Sequence, residues 1–191
     1  YDTEKLRREF LVTDIFIPDE ISLVYSMYDR YIVGGAMPVG KDLQLEPADE
    51  LKTASFLERR EMGIINVGGP AEIMADGITY KLGFKEALYI GKDTVDVIFR
   101  SSDRSDPSKL YINSAPAHHK YPSVKVTRSE AEIVTLGSPG ESNHRTINKL
   151  LINTILPTCQ LQMGMTELKQ GSVWNTMPVH THNRRMEAYF Y

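Results

Sequence analysis

The sequence has one cysteine, one tryptophan, no long apolar run and little helical periodicity. The single thiol, Cys159, excludes an intrachain disulfide framework and fits a reducing compartment. No stretch approaches the roughly 18 apolar residues of a spanning helix, and the first 20 residues lack the apolar region of a signal peptide, so a cytoplasmic protein without a membrane partner is expected. No block of like charge occurs, and 22 Lys and Arg against 25 Asp and Glu leave a net charge of -3, which argues against a nucleic-acid surface. With 41% hydrophobic and 25% charged residues in 191, what remains is an ordinary globular chain with material for a sizeable core.

Helical signals are confined to Asp2–Phe10 and to Arg128–Val134, the latter capped by Thr127. Most of the chain reads as short β-branched and aromatic runs separated by Gly, Pro, Asp and Asn: 21–25, 31–33, 63–67, 73–74, 78–82, 87–90, 95–99 and 110–113. Asp76-Gly77 between two such runs predicts a two-residue hairpin turn, because both positions tolerate positive φ. Short strands at this spacing point to an all-β sandwich or barrel. Ser114–Ser142 is rich in Pro, Gly and polar residues and reads as a crossover between two β units. Strand signals resume at 146–152, 159–166, 172–176 and 186–191. A faint repeat relates residues 56–62 to 181–187, sharing an Arg-Arg pair at an offset of 125.

The chemistry concentrates in residues 171–187. His180 and His182 are two apart, so on a strand both imidazoles aim at one point. A tight turn at 183–185 would return Glu187 beside them. Two imidazoles and a carboxylate suit zinc, or Mn, Fe or Ni. Tyr189 has the strand parity of Glu187, and Thr176 that of His180, while Thr166 lies on an apolar strand; each can line a site or simply pack. The methionines at 163, 165, 177 and 186 read as barrel packing, and His118-His119 as a solvated loop.

The pattern His180-x-His182-x4-Glu187 resembles the first metal motif of the cupins. Together with Phe56-Leu-Glu-Arg-Arg-Glu, Gly63-Ile-Ile-Asn-Val-Gly-Gly, Ala115-Pro-Ala-His118, Arg145-Thr-Ile-Asn-Lys149 and the Trp174–Tyr191 run, the chain resembles the 5-keto-4-deoxyuronate isomerases over essentially its whole length. The resemblance implies two cupin-type double-stranded β-helix barrels. Residues 1–113 would form a metal-free N-terminal cupin with an N-terminal extension, 114–145 a crossover, and 146–191 the start of a metal-binding cupin that is incomplete in this chain. It implies one zinc per subunit on His180, His182 and Glu187, with a fourth ligand, a histidine, beyond residue 191. The first unit carries Ser55, Leu57 and Met62 at the repeat-equivalent positions, which suit no zinc shell.

The implied reaction is a zinc-dependent ketol isomerisation in pectin and uronate breakdown, interconverting 5-keto-4-deoxyuronate and 2,5-diketo-3-deoxygluconate through an enediol. Arg185, Tyr189 and Arg145 would act in catalysis, Arg185 (with Arg184 as the alternative) and Arg145 as anchors for the substrate carboxylate, and Thr166, Thr176 and Ile147 in binding the uronate; the general base stays unassigned. A homo-oligomer, a hexamer in this family, is expected. The alternatives are another cupin enzyme, such as a sugar epimerase or dioxygenase, and a non-catalytic uronate-binding cupin. If the units are alike, the second extends about 47 residues past Tyr191.

Overall fold

The computed structural model describes residues 1–174, 183 and 185–191. A helix, α1 (Thr3–Phe10), opens the chain; Asp2 caps it by accepting the Lys5 N–H at 2.8 Å, and none of it is buried. The strands follow: β1 (Ile21–Tyr25), β2 (Ile32–Ala36), β3 (Leu43–Gln44), β4 (Arg60–Asn66), β5 (Ala71–Ala75), β6 (Ile78–Leu82), β7 (Ala87–Ile90), β8 (Val97–Ser101), β9 (Leu110–Pro116), β10 (Val124–Val126), β11 (Glu132–Leu136), β12 (Arg145–Leu151) and β13 (Met163–Leu168). They form a six-stranded sheet β1-β2-β9-β4-β7-β10, a four-stranded sheet β3-β8-β5-β6 and a three-stranded sheet β11-β12-β13, all with antiparallel neighbours. Among the described residues no helix is long and apolar enough to cross a membrane.

Local chemistry explains the turns. The β5–β6 hairpin closes on Asp76 at φ 45° and Gly77 at φ 80°, the two positive values its two-residue turn requires. The expected helix at 128–134 does not form. Thr127 does cap a turn, but only a single 3-10 turn over Arg128–Glu130; β-branched Ile133, Val134 and Thr135 then pair with β12. The stretch read as a crossover is partly strand, since β10 pairs with β7 and β11 with β12.

The six-stranded sheet is buried on both faces, so β4 has no exposed residue. Alternation divides its side chains. One face sends Ile32, Met62, Ile64, Leu88, Ile90 and Ile112 against Ile73 and Phe99 of the four-stranded sheet. The other presents Ile65, Tyr89, Tyr111 and Ala115 to Leu150, Leu151, Leu156, Leu161 and Met163, which belong to β12, β13 and their connection. Each fully buried side chain of this size contributes about 1.5–3 kcal/mol. Gly63 lies at the closest approach: a Cβ there would overlap Met163 Sδ and stand 2.8 Å from Leu151 Cδ1.

Polar groups fix the second face in register. Glu61 has no exposed surface; its Oε1 accepts the N–H groups of Gln160 (2.7 Å) and Leu161 (2.8 Å), and its Oε2 the Cys159 N–H and the Tyr89 hydroxyl, both at 2.8 Å. Residues 159–161 were expected in a strand running to 166, but β13 starts only at Met163. Their amides point at a side-chain carboxylate rather than at a neighbouring strand. Further along, Glu167 accepts from Lys85 Nζ at 2.7 Å, Asn148 Nδ2 at 3.0 Å and Arg128 at 3.1 Å. The Lys85 ammonium, followed by Arg128 and Asn148, holds the Glu167 carboxyl below its ordinary 4.5 despite some desolvation.

Two predictions follow from this seam. Gly63→Ala is expected to destabilise by about 1–3 kcal/mol through overpacking, measured by denaturant titration; an unchanged midpoint would contradict the close approach. Glu167 is depressed on folding, so its contribution is complete above the unfolded value and is lost as pH falls through the folded one. The Tm of wild type should therefore exceed that of Glu167→Gln above about pH 5 and converge on it in more acidic solution; a gap independent of pH would contradict the pairing.

Candidate active site

The register of β12 with β13 sets the first group of side chains. Arg145 lies opposite Leu168 and Ile147 opposite Thr166, so Arg145, Ile147 and Thr166 share one face of the three-stranded sheet. Arg145 is 9% exposed; one terminal nitrogen donates to the Asn143 carbonyl at 3.0 Å, while its Nε has no hydrogen-bond partner among the described residues. A buried guanidinium with a donor unspent is suited to receive a carboxylate.

Thr166 also lines a cleft of about 530 Å³. Tyr31, just before β2, and Tyr111 and Asn113 of β9 form one wall, 160–166 another, and residues 185–191 the third. Arg185, Glu187 and Tyr189 thus meet Thr166 around one space, whereas Arg145 and Ile147 stand on the neighbouring strand outside its lining. Burial raises the Tyr31 and Tyr111 hydroxyls above the ordinary tyrosine value, so both remain protonated donors at neutral pH.

Residues 186–191 were expected to be a strand, and they form none. A strand needs a paired edge; this segment is held instead by Phe190, stacked on Tyr111 at 5.1 Å between centroids and edge-on to Phe16 at 5.5 Å. The Tyr189 hydroxyl donates to Glu187 Oε2 at 2.8 Å, and acceptance by that carboxylate raises the Tyr189 pKa. Tyr189 itself is 71% exposed.

His180, His182, Thr176 and Arg184 lie outside the described residues. Among the described residues no three His, Cys, Asp or Glu side chains form a group able to hold a metal. Of the three residues expected to ligate zinc, Glu187 is the one described, an exposed carboxylate at the cleft. Two imidazoles with that carboxylate remain a donor set of the right chemistry for a borderline divalent cation. The other three histidines stand elsewhere: His144 is half-buried, and His118 and His119 are exposed, with the His119 ring 4.6 Å from that of Tyr121.

Two features at the site were missing from the sequence reading. The aromatic wall of Tyr31 and Tyr111 sits on or just before strands whose alternation could have marked a second buried face. Glu61 carried the same signal, a charge inside an apolar strand. The first-unit counterpart of Arg185 in the repeat, Arg60, is 4% exposed and donates to the carbonyls of Arg30 and Ser114, both at 2.7 Å. Burial pulls its pKa down to about 10, which still leaves it charged at neutral pH.

Comparison with known proteins bears on these features. Over its full length the chain is 59% identical to 4-deoxy-L-threo-5-hexosulose-uronate ketol-isomerase 1 of Bacteroides thetaiotaomicron, covering 68% of that protein. It is 56% identical to the ketol-isomerase of the same name from Formosa agariphila, again covering 68%, and 55% identical to that of Yersinia pseudotuberculosis, covering 69%. A crystal structure of an IolB-like protein from Salmonella typhimurium LT2 superposes with a TM-score of 0.53 at 17% identity, over 67% of this chain and 47% of that one. That likeness is one of fold, and the fold is of the β-rich cupin type. Residues 17–190, spanning both faces of the central sheet and the cleft, match the model of the KduI/IolB family, and the chain belongs to that family.

Proposed function

We propose that the protein is a ketol isomerase that interconverts 5-keto-4-deoxyuronate and 2,5-diketo-3-deoxygluconate in the breakdown of pectin-derived uronates. One observation carries the reading: identity of 55–59% to relatives bearing that activity in their names runs the whole length of the chain, the site region included. The geometry is compatible with it, since Arg145, Ile147 and Thr166 share a sheet face and Arg185, Glu187 and Tyr189 border a cleft with Thr166.

The reaction moves a proton between neighbouring carbons and another between their oxygens, by way of an enediol. His180, His182 and Glu187 would hold one zinc per subunit, which when bound supplies Lewis acidity to a carbonyl. Arg185, at the cleft, takes the substrate carboxylate; Arg145, on the neighbouring strand outside the lining, keeps an unspent Nε donor and is the alternative anchor. The Tyr189 hydroxyl gives its one proton to Glu187 Oε2, which leaves its oxygen to accept a hydrogen bond from a substrate hydroxyl. Thr166 and Thr176 offer hydroxyls to those of the sugar, and Ile147 stands opposite Thr166 on the neighbouring strand.

The division of labour in the chain follows. Residues 1–113 form a metal-free cupin with an N-terminal extension, 114–145 the crossover, and 146–191 the opening of a metal-binding cupin. The assembly is a cytoplasmic homo-oligomer, a hexamer.

Metal analysis after dialysis is expected to find close to one equivalent of zinc, and His182→Ala to lower isomerisation at least about 100-fold with the Tm retained. Less than about a tenth of an equivalent of any divalent transition metal, or undiminished turnover in the variant, would overturn the reading.

A further inference from the structure

The span that carries Thr166 is held at both ends by charges tied to the first sheet. At its start, three consecutive backbone amides, Cys159, Gln160 and Leu161, converge on Glu61 of β4 at 2.7–2.8 Å. At its end, Glu167 is paired with Lys85 of the β6–β7 turn at 2.7 Å. Between them, Met163 rests above Gly63, so close that a Cβ there would push its Sδ aside. Gln160, Leu161, Met163 and Thr166 all line the cleft.

Stability alone does not explain a carboxylate here. A buried charge loses its hydration, and an apolar side chain of similar volume is often as good or better for stability. An apolar residue, though, packs without direction. Two carboxylate oxygens, each accepting two bonds, fix the position and orientation of the chain that supplies the donors. Tyr89 completes the set, and its hydroxyl is pushed up by burial and then by its donation to Glu61, so it remains a donor.

We propose that Glu61, a residue of the first unit, is a positioning residue of the active site: by gathering the amides of residues 159–161 it sets where β13, and Thr166 with it, stands against the cleft. The proposal rests on the isomerase reading for its kinetic consequence. Gln at position 61 would keep the shape but replace one acceptor by an N–H₂ group facing backbone N–H donors, which the cluster cannot satisfy.

The test compares Glu61→Gln with Ile73→Val, a core change in the four-stranded sheet remote from the seam, in the full-length protein and below the Tm of both. Glu61→Gln is expected to lower kcat at least about tenfold with KM changed less than about threefold, and Ile73→Val to leave both within about twofold. Equal effects in the two variants, or an unchanged kcat in Glu61→Gln, would overturn the proposal. NMR of the Thr166 and Met163 methyl groups is the second readout: Glu61→Gln should displace both resonances and Ile73→Val neither. Were the wild type inert on the ketouronate, the functional reading would fall, and these resonances would still decide the positioning role. Should Glu61→Gln not fold, Tyr89→Phe, which withdraws only the hydroxyl donor, is expected to shift the same methyl groups by less and in the same direction; unshifted resonances would overturn the claim.

Discussion

Glu61 has no exposed surface, yet it carries the only carboxylate among the buried residues of the described structure. Desolvating such a group costs several kcal/mol unless hydrogen bonds replace the lost water. Here four donors do so, three of them from a segment about a hundred residues further along the chain. That segment must come to β4, and once there it can take few other paths. The path of the chain from β12 to β13 depends on this contact.

The central sheet is therefore a shared wall. Its inner face closes a conventional apolar core with the four-stranded sheet. Its outer face packs against the connection that leads into β13. The two faces differ in chemistry: Ile, Leu and Phe on one, and on the other Tyr31, Tyr89, Tyr111 and Asn113 with Glu61 among them. A polar, directional face is poorer glue and a better template. This contrast suits a chain in which one unit supplies the platform and the next carries the metal-binding motif, as the proposed function requires.

Features set by near neighbours were legible in the sequence. The helix read over Asp2–Phe10 and the Asp76-Gly77 turn depend on contacts a few residues apart, and both form as expected. Thr127 also caps a turn, but pairing with β12 won over helix propensity at Ile133 and Val134. The segment ending at Tyr191 alternates like a strand and is instead pinned through one ring, that of Phe190. The histidine pair was readable as a motif and falls outside the described residues; of the candidate site, the structure describes Thr166, Arg185, Glu187 and Tyr189 around one cleft, with Arg145 and Ile147 on the neighbouring strand. Glu61 stands out as a charge in an apolar strand, but its role was not legible, because its partners are backbone amides about a hundred residues away.

Backbone hydrogen exchange at Cys159, Gln160 and Leu161 tests this account most directly. These three amides are in no strand, so without a specific acceptor they would exchange like an open loop. The account predicts protection comparable with that of β4, because opening them exposes a buried carboxylate. Loop-like exchange at all three while β4 remains protected would contradict it.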